Sequence, residues 1–359
     1  MEILAMQLLY LIILDCLHKI NGERTHFSIY HLLHGKKSAQ TIQDAHFFRL
    51  EKWFQTYPFF TRDAYNKVIQ QLLQNEDLAT DDGQHFLVTD KGMLFLRQKE
   101  FNNEHLFPFL NGLKNQDITI LFWKRLNLLT QVISNLMNHT RAYYPVQRDP
   151  ELHRWVKQYI VNSGRKREQL GEMLYAELYK LFSANPPEKP ELLVLRLTGA
   201  KQIGKTIEQA ASYVHLDTVE YWYRYLHLLH FMIEAIGRNS SQFPLLYSLI
   251  KDARQMLPLT KSALHTFQLL KEGKTINEIA RIRQLKMSTI EDHITEIALN
   301  DETLSIRPYV DEATEEKIKQ TVKEIGSKRL KSIKEKVGEV TYFQIRLVLA
   351  RQVKQHRFT

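Results

Sequence analysis

Apolar residues recur at spacings of three and four along most of this chain, the period of an α-helix that buries one face. Near the start, Leu4 to Leu14 is an apolar run of about eleven residues, and the helical spacing continues to Ile20. The run is shorter than the ~20 residues that cross a bilayer, and acidic Glu2 stands where a signal peptide would be positive. The pattern therefore predicts a core helix rather than a membrane or targeting segment.

A helix followed by a short hairpin is predicted within the first hundred residues. Thr61 to Leu73 has helical spacing and begins at a threonine suited to cap it. Two short apolar runs follow, joined by an Asp-Asp-Gly turn at 81–83, and the second covers His85 to Thr89. This order is typical of a winged helix-turn-helix domain. An α+β module that contacts only protein is the alternative.

The scarcity of turn residues supports a mainly α, multidomain protein. Gly and Pro number only 13 and 10 in 359 residues, too few for the turns of an all-β fold. The helical pattern breaks at the proline-rich 183–190 and again at 237–244. We expect a winged-helix-like domain at 1–105, a helical middle domain with a degenerate helix-turn-helix at 106–256, and a C-terminal helix-turn-helix domain at 257–359.

Charge and cysteine content narrow the class of partner. Lys and Arg number 49 against 40 Asp and Glu, a formal net charge of +9, which favours a polyanionic partner, with nucleic acid first. The single Cys16 excludes a disulfide framework or a multi-thiolate zinc site and suits the cytoplasm, with association to the nucleoid as one option. The sequence contains no HExxH or GxSxG motif and no Cys-His pair, and no cofactor or metal site is expected.

One segment satisfies the P-loop pattern, Gly199 to Thr206 (GAKQIGKT), and the apolar stretch before it, Leu192 to Leu197, would have to be its strand. An internal comparison offers a second interpretation. Gly204-Lys205-Thr206 and the five residues after it parallel the segment that begins at Gly273, 69 residues later. In this interpretation each threonine starts the first helix of a helix-turn-helix.

The second copy predicts three helices, at Leu259 to Leu270, Thr275 to Arg283 and Ser288 to Ala298, with Leu285 in the turn. A helix-turn-helix presents its last helix to the major groove of DNA. Ser288, Thr289, Asp292, Thr295 and Glu296 are expected to face outward from it, although its acidic residues oppose close approach to DNA. The candidate DNA-binding residues, including those of the basic run that follows, are Lys271, Lys274, Arg281, Arg283, Lys286, Ser288, Thr289, Lys328, Arg329, Lys331 and Lys334.

Residues 259–350 resemble the helix-turn-helix domain at the C-terminus of RecQ-type and related DNA helicases. The residues that carry the resemblance are Thr266, Leu269, Leu270, Gly273, Thr275, Ile279, Ala280, Arg283, Leu285, Ser288, Thr289, Ile290, His293, Ile294, Ile318, Leu330, Ile333, Gly338 and 342–346. With an N-terminal part that is no helicase, the whole chain resembles the YpbB family of Gram-positive bacteria, whose gene usually lies beside one for a RecQ-type helicase. The resemblance implies a non-catalytic partner of such a helicase.

Three hypotheses follow from the sequence. The first is an adaptor that binds DNA through phosphate contacts and docks a RecQ-type helicase. The second is a helix-turn-helix transcriptional regulator that reads an operator, and the third is a P-loop nucleotide hydrolase. Twelve Lys and Arg against six Glu after residue 311 favour phosphate contacts without much sequence preference.

Overall fold

The computed structural model describes residues 7–99, 101, 105–140, 142–254 and 259–355. As predicted, these residues form a mainly helical, multidomain protein. The helices in these ranges are α1 Gln7–Ile20, α2 Phe27–His34, α3 Ala39–Phe47, α4 Arg62–Gln74, α5 Asp90–Gln98, α6 Gly112–Met137, α7 Pro150–Asn162, α8 Arg167–Ser183, α9 Glu191–Val194, α10 Ile207–Tyr213, α11 Thr218–Arg238, α12 Pro244–Ser248, α13 Lys251–Arg254, α14 Lys261–Lys271, α15 Ile276–Arg283, α16 Met287–Asn300, α17 Glu312–Ile325, α18 Leu330–Val337 and α19 Tyr342–Gln355.

The predicted helix and hairpin are present. The Thr61 hydroxyl accepts a hydrogen bond from the amide of Ala64 at 3.2 Å and caps α4. Strands β1 (Leu78–Ala79) and β2 (Leu87–Val88) pair antiparallel, and Gly83 supplies the positive φ of +69° that the turn between them requires. Among the described residues this hairpin is the whole of the sheet structure.

Contacts along the chain group it into two compact units. One comprises Met1–Leu11 and Phe101–Gln255, and the other comprises Ile12–Glu100 and Met256–Thr359. The predicted middle domain therefore corresponds closely to the first unit, whereas the predicted first and last domains share the second. The division into three domains stays a prediction, and its boundary at 256/257 lies outside the described residues.

The first unit is organised around two long helices, α6 and α11, which pack on each other. Phe122 and Leu126 of α6 belong to the same buried cluster as Leu228 and Leu229 of α11. Buried Arg125 ties this core to the end of the unit, since its guanidinium donates to both carboxylate oxygens of Asp252 at 2.7 Å. A planar guanidinium that donates two hydrogen bonds to one carboxylate also fixes the relative orientation of the two side chains.

The second unit is centred on α16, which packs against α14, α19 and α3. Ile290, Ile294 and Ile297 of α16 are fully buried. The apolar N-terminal run is a core helix as predicted, with Ile12 and Ile13 of α1 fully buried. None of the helices in the described ranges combines the length and the apolar character that crossing a membrane requires.

Candidate nucleic-acid interface

The three predicted helices of the C-terminal helix-turn-helix are confirmed as α14, α15 and α16. Thr275 and Glu278 form a reciprocal capping box that starts α15. Gln284 ends α15 in the left-handed region at φ +51°, and the amide of Leu285 then donates to the carbonyl of Ala280 at 3.1 Å. These local bonds set the sharp turn that carries the chain into α16.

The expectation that Thr295 and Glu296 face outward is wrong. Thr295 has no exposed surface and Glu296 only 1%. The inward stripe of isoleucines accounts for contact with one side of α16, but α3 and α19 pack on it as well. The helical periodicity of one segment gives no information about packing partners that lie far away in the sequence. The first turn of α16 is its most exposed part, with Met287 and Ser288 exposed, and Glu291 and Asp292 after it are half-buried.

Two of the three acidic residues of α16 have partners inside the protein, and the third, Glu291, is half-buried. Glu296 accepts from the Thr260 amide at 2.5 Å and from the Thr260 hydroxyl at 3.1 Å. Asp292 pairs with Arg346 of α19. The carboxylates therefore contribute to packing within the unit, and the repulsion of DNA expected from an exposed acidic reading helix is correspondingly reduced.

Most of the predicted cations around the helix-turn-helix lie on its surface. Lys271, Lys274, Arg281 and Lys286 are exposed, and Thr289 beside exposed Ser288 is half-buried. The Lys271 ammonium lies 4.4 Å from the ring centre of Phe267. This exposed set flanks the turn and the start of α16, the part of a helix-turn-helix that enters the DNA groove, where flanking cations can contact phosphates.

The sequence prediction missed two acidic residues on this surface, Glu272 beside Lys271 and Glu278. Glu278 is exposed, and its interactions with Thr275, Lys274 and Arg281 lower its pKa, with the Thr275 hydrogen bonds contributing most. The spacing of Thr275 and Glu278 is that of a capping box, which is the signal that locates the carboxylate. Its negative charge offsets part of the local positive charge.

Arg283 is turned into the domain. Its guanidinium donates to the carbonyl of Ser262 at 2.7 Å and to the hydroxyl of Thr266 at 2.5 Å. His293 lies beside it, with Nδ1 2.9 Å from the Thr266 hydroxyl. This network joins α14, α15 and α16, so Arg283 is committed to holding the three helices together.

The predicted basic run after Ser327 divides into two pairs. Lys328 and Arg329 contact the N-terminal part of the same unit: Lys328 donates through its amide to Glu23 at 3.0 Å and through its ammonium to the Phe47 carbonyl, and Arg329 donates to the Gly22 carbonyl. Burial lowers the pKa of Lys328. By contrast, Lys331 is exposed, and half-buried Lys334 lies 4.7 Å from the ring centre of Tyr342.

The P-loop-like segment is built differently from a phosphate-binding loop. The stretch expected to be its strand instead begins as the short helix α9 and continues as a turn. Its amides bond to the protein itself: Gly204 donates to the Thr198 hydroxyl at 3.1 Å and Lys205 to the Leu195 carbonyl at 2.8 Å. A P-loop needs such amides free to surround phosphate oxygens.

The repeat interpretation of this segment matches the local geometry. Thr206 and Gln209 form a capping box at the start of α10, as Thr275 and Glu278 do for α15. After α10, His215 is left-handed at φ +57° and the Leu216 amide donates to the Ala211 carbonyl at 3.0 Å. Each feature has its counterpart 69 residues later, at Gln284 and Leu285.

Comparisons with known proteins agree with the helix-turn-helix geometry. The family described as "Helix-turn-helix domain" matches residues 262–349. Protein YpbB of Bacillus subtilis (strain 168) is 33% identical over 352 residues, which cover 96% of this chain and 98% of that protein. No solved structure matches the chain.

Proposed function

Since the chain belongs to the YpbB family, we propose that it is a non-catalytic DNA-binding accessory protein that holds the phosphate backbone and docks a RecQ-type helicase. The helix-turn-helix domain is of a kind that binds DNA. The proposed contacts are Lys271, Lys274, Arg281, Lys286, Ser288 and Thr289, with Lys331 and Lys334 farther along the chain. We propose that it acts in the cytoplasm, on the nucleoid, and in DNA repair or recombination.

The observation that carries this proposal is the contrast along α16. Lys286, Met287 and Ser288 are exposed and Thr289, Glu291 and Asp292 are half-buried, whereas residues 293–299 are buried. A helix-turn-helix that reads sequence places the N-terminal side chains of its recognition helix against base edges. The exposed residues at that end of α16 are Met287 and Ser288, and the carboxylates of Glu291 and Asp292 follow, whereas exposed cations surround the turn. This arrangement favours contacts to phosphates, which fix position but carry no sequence information.

The proposal of a helicase partner is based on a sequence resemblance rather than on the geometry of α16. Residues 259–350 resemble the C-terminal helix-turn-helix of RecQ-type helicases, and this chain carries that domain beside other helical segments. An accessory protein with such a domain is suited to bring additional DNA contacts to a helicase. Arg283, Lys328 and Arg329 have a smaller part in this proposal, because each is bonded within the protein.

The two alternatives make different demands on the molecule. A transcriptional regulator needs accessible side chains along its recognition helix, and Thr295 and Glu296 are buried. A P-loop hydrolase needs backbone amides directed at phosphate, and those of Gly204 and Lys205 are bonded to the protein. Both observations favour the accessory protein.

Two measurements test the proposal. Competition between a labelled duplex and unlabelled duplexes of unrelated sequence is expected to give nearly equal inhibition constants, whereas an operator-reading regulator would prefer one sequence by ~10³-fold or more. A tagged protein recovered from an extract of its own cells is expected to retain a RecQ-type helicase after nuclease treatment. Strong preference for one sequence, together with loss of the helicase, would overturn the proposal.

A further inference from the structure

A cavity of about 390 Å³ opens on the first unit, beside α7 and the segment that follows it. Its walls include two aromatic rings, two side-chain amides and two cations: Trp155, Tyr159, Gln158, Asn162, Arg165 and Lys251. The volume falls in the range of about 300–1,000 Å³ that is usual for small-molecule sites. The six side chains belong to three chemical kinds that together recognise a nucleotide.

The aromatic wall is flat and held in place. The rings of Trp155 and Tyr159, one helical turn apart, are parallel within 3° with centroids 5.5 Å apart. The Arg125 guanidinium lies 4.1 Å from the Trp155 ring centre and is itself fixed by its two bonds to Asp252. Both rings are half-buried, and because Arg125 occupies one face of Trp155, the surface that remains exposed on the two rings is what a ligand can contact.

The polar walls supply the other two elements. Gln158 and Asn162, also one turn apart on α7, are exposed at the cavity, and a carboxamide both donates and accepts hydrogen bonds, as the edge of a base requires. Arg165 and Lys251 are exposed cations. None of the residues lining the cavity is a carboxylate, so the charges that line it are those of the two cations.

We propose that this cavity binds an unpaired nucleotide of single-stranded DNA. The base contacts the Trp155 and Tyr159 rings, its edge meets Gln158 and Asn162, and the adjoining phosphates lie near Arg165 and Lys251. Aromatic contacts of this kind tolerate any base because every base has a π-face. The site is distinct from the duplex contacts assigned to the helix-turn-helix and goes beyond that function.

Charge reversal at the cavity gives the first test. Binding of the full-length protein to labelled oligo-dT is measured by fluorescence anisotropy for the wild type and for Arg165→Glu/Lys251→Glu. Lys157→Glu/Lys180→Glu is the matched control, because it makes the same change in charge. Lys157 is exposed on α7, where the helical period turns it about 160° away from Trp155, and Lys180 is exposed on α8 and does not line the cavity. We expect the cavity variant to weaken strand binding by about ten-fold or more and the control to change it much less. Equal effects of the cavity variant and the control would overturn the proposal.

Tryptophan fluorescence gives the second test, since one of only four tryptophans lines the cavity. Oligo-dT is expected to quench the wild type and to quench Trp155→Phe much less, while Trp155→Phe retains most of the strand affinity through its aromatic ring. An undiminished quench in Trp155→Phe would overturn the proposal. Thymidine monophosphate has the chemistry of one nucleotide of the strand. If it competes with oligo-dT equally well at the same concentration of nucleotide units, the ligand is a free nucleotide and the strand assignment is overturned.

The two proposals fail separately. Duplex affinity reports on the helix-turn-helix and is expected to be unchanged by Trp155→Phe. If the wild-type protein does not bind duplex DNA, the proposed accessory function is contradicted, and the result for single-stranded DNA is unaffected. If the protein binds duplex DNA but the cavity variants do not change single-stranded DNA binding as expected, only the cavity proposal is contradicted.

Discussion

Glu296 accepts hydrogen bonds from both the backbone amide and the side-chain hydroxyl of Thr260. The residue that the sequence places on an outward face thus joins the end of α16 to the start of α14. Burial raises the pKa of Glu296, and the Thr260 hydrogen bonds oppose that effect. A carboxylate so placed contributes to the stability of the helix-turn-helix and is unavailable to DNA.

Glu296→Ala is expected to destabilise the protein. It leaves the Thr260 amide without its acceptor, which costs about 1–3 kcal/mol of unfolding free energy. Glu316→Ala, an equal change at an exposed position of α17, is the control and should cost much less. Denaturant unfolding measures both, and equal losses in the two variants would refute the structural role of Glu296.

His293 predicts a pH dependence of stability. Burial, with a smaller contribution from the nearby Arg283 guanidinium, lowers the pKa of His293 to about 4, from its ordinary 6.5. Between these values the unfolded chain binds a proton that the folded protein does not, so this contribution is complete above pH 6.5 and is lost as the pH falls toward 4.

The measurement is the unfolding free energy of the wild type and His293→Gln between pH 7 and pH 5. His293→Gln keeps a polar partner for Thr266 but cannot titrate. We expect the wild type to lose on the order of 1 kcal/mol more than the variant over this interval. Parallel curves would show that His293 does not contribute.

Gly204→Ala tests the local structure of the P-loop-like segment. A Cβ at Gly204 would lie 2.1 Å from the Arg196 carbonyl oxygen, a backbone atom that cannot move without the loop, so a loss of about 1–3 kcal/mol is expected. Gly171→Ala in α8 is the control, since its Cβ would approach closely only the flexible end of Met137 and would make an ordinary contact with Ile133. Denaturant unfolding compares them, and a larger loss for Gly171→Ala would contradict the described packing.

The parts of the fold that could be predicted are those determined by neighbouring residues. The cap at Thr275, the turn at Leu285 and the hairpin around Gly83 each depend on side chains within a few positions. The spacing of Ile290, Ile294 and Ile297 likewise identifies one buried face of α16. Such features follow from propensity and period alone.

The burial of Thr295 and Glu296 could not be predicted in this way. It requires α3 and α19 on the remaining sides of α16, and α3 lies about 250 residues earlier in the chain. The same holds for Lys328 and Arg329, whose charges suggest phosphate contacts but whose hydrogen bonds go to Phe47 and Gly22. Long-range packing decides which of several cations remain available.

The central claim is that duplex DNA is held through phosphate contacts at the exposed turn of the helix-turn-helix. The most direct test is the salt dependence of duplex affinity for the wild type, Lys274→Ala/Lys286→Ala and the control Lys317→Ala, which changes an exposed lysine of α17. Each phosphate contact contributes about 0.9 to the slope of log affinity against log salt. We predict that the slope falls by about 2 in the double variant and stays at the wild-type value in Lys317→Ala. A slope that the double variant leaves unchanged would contradict the account.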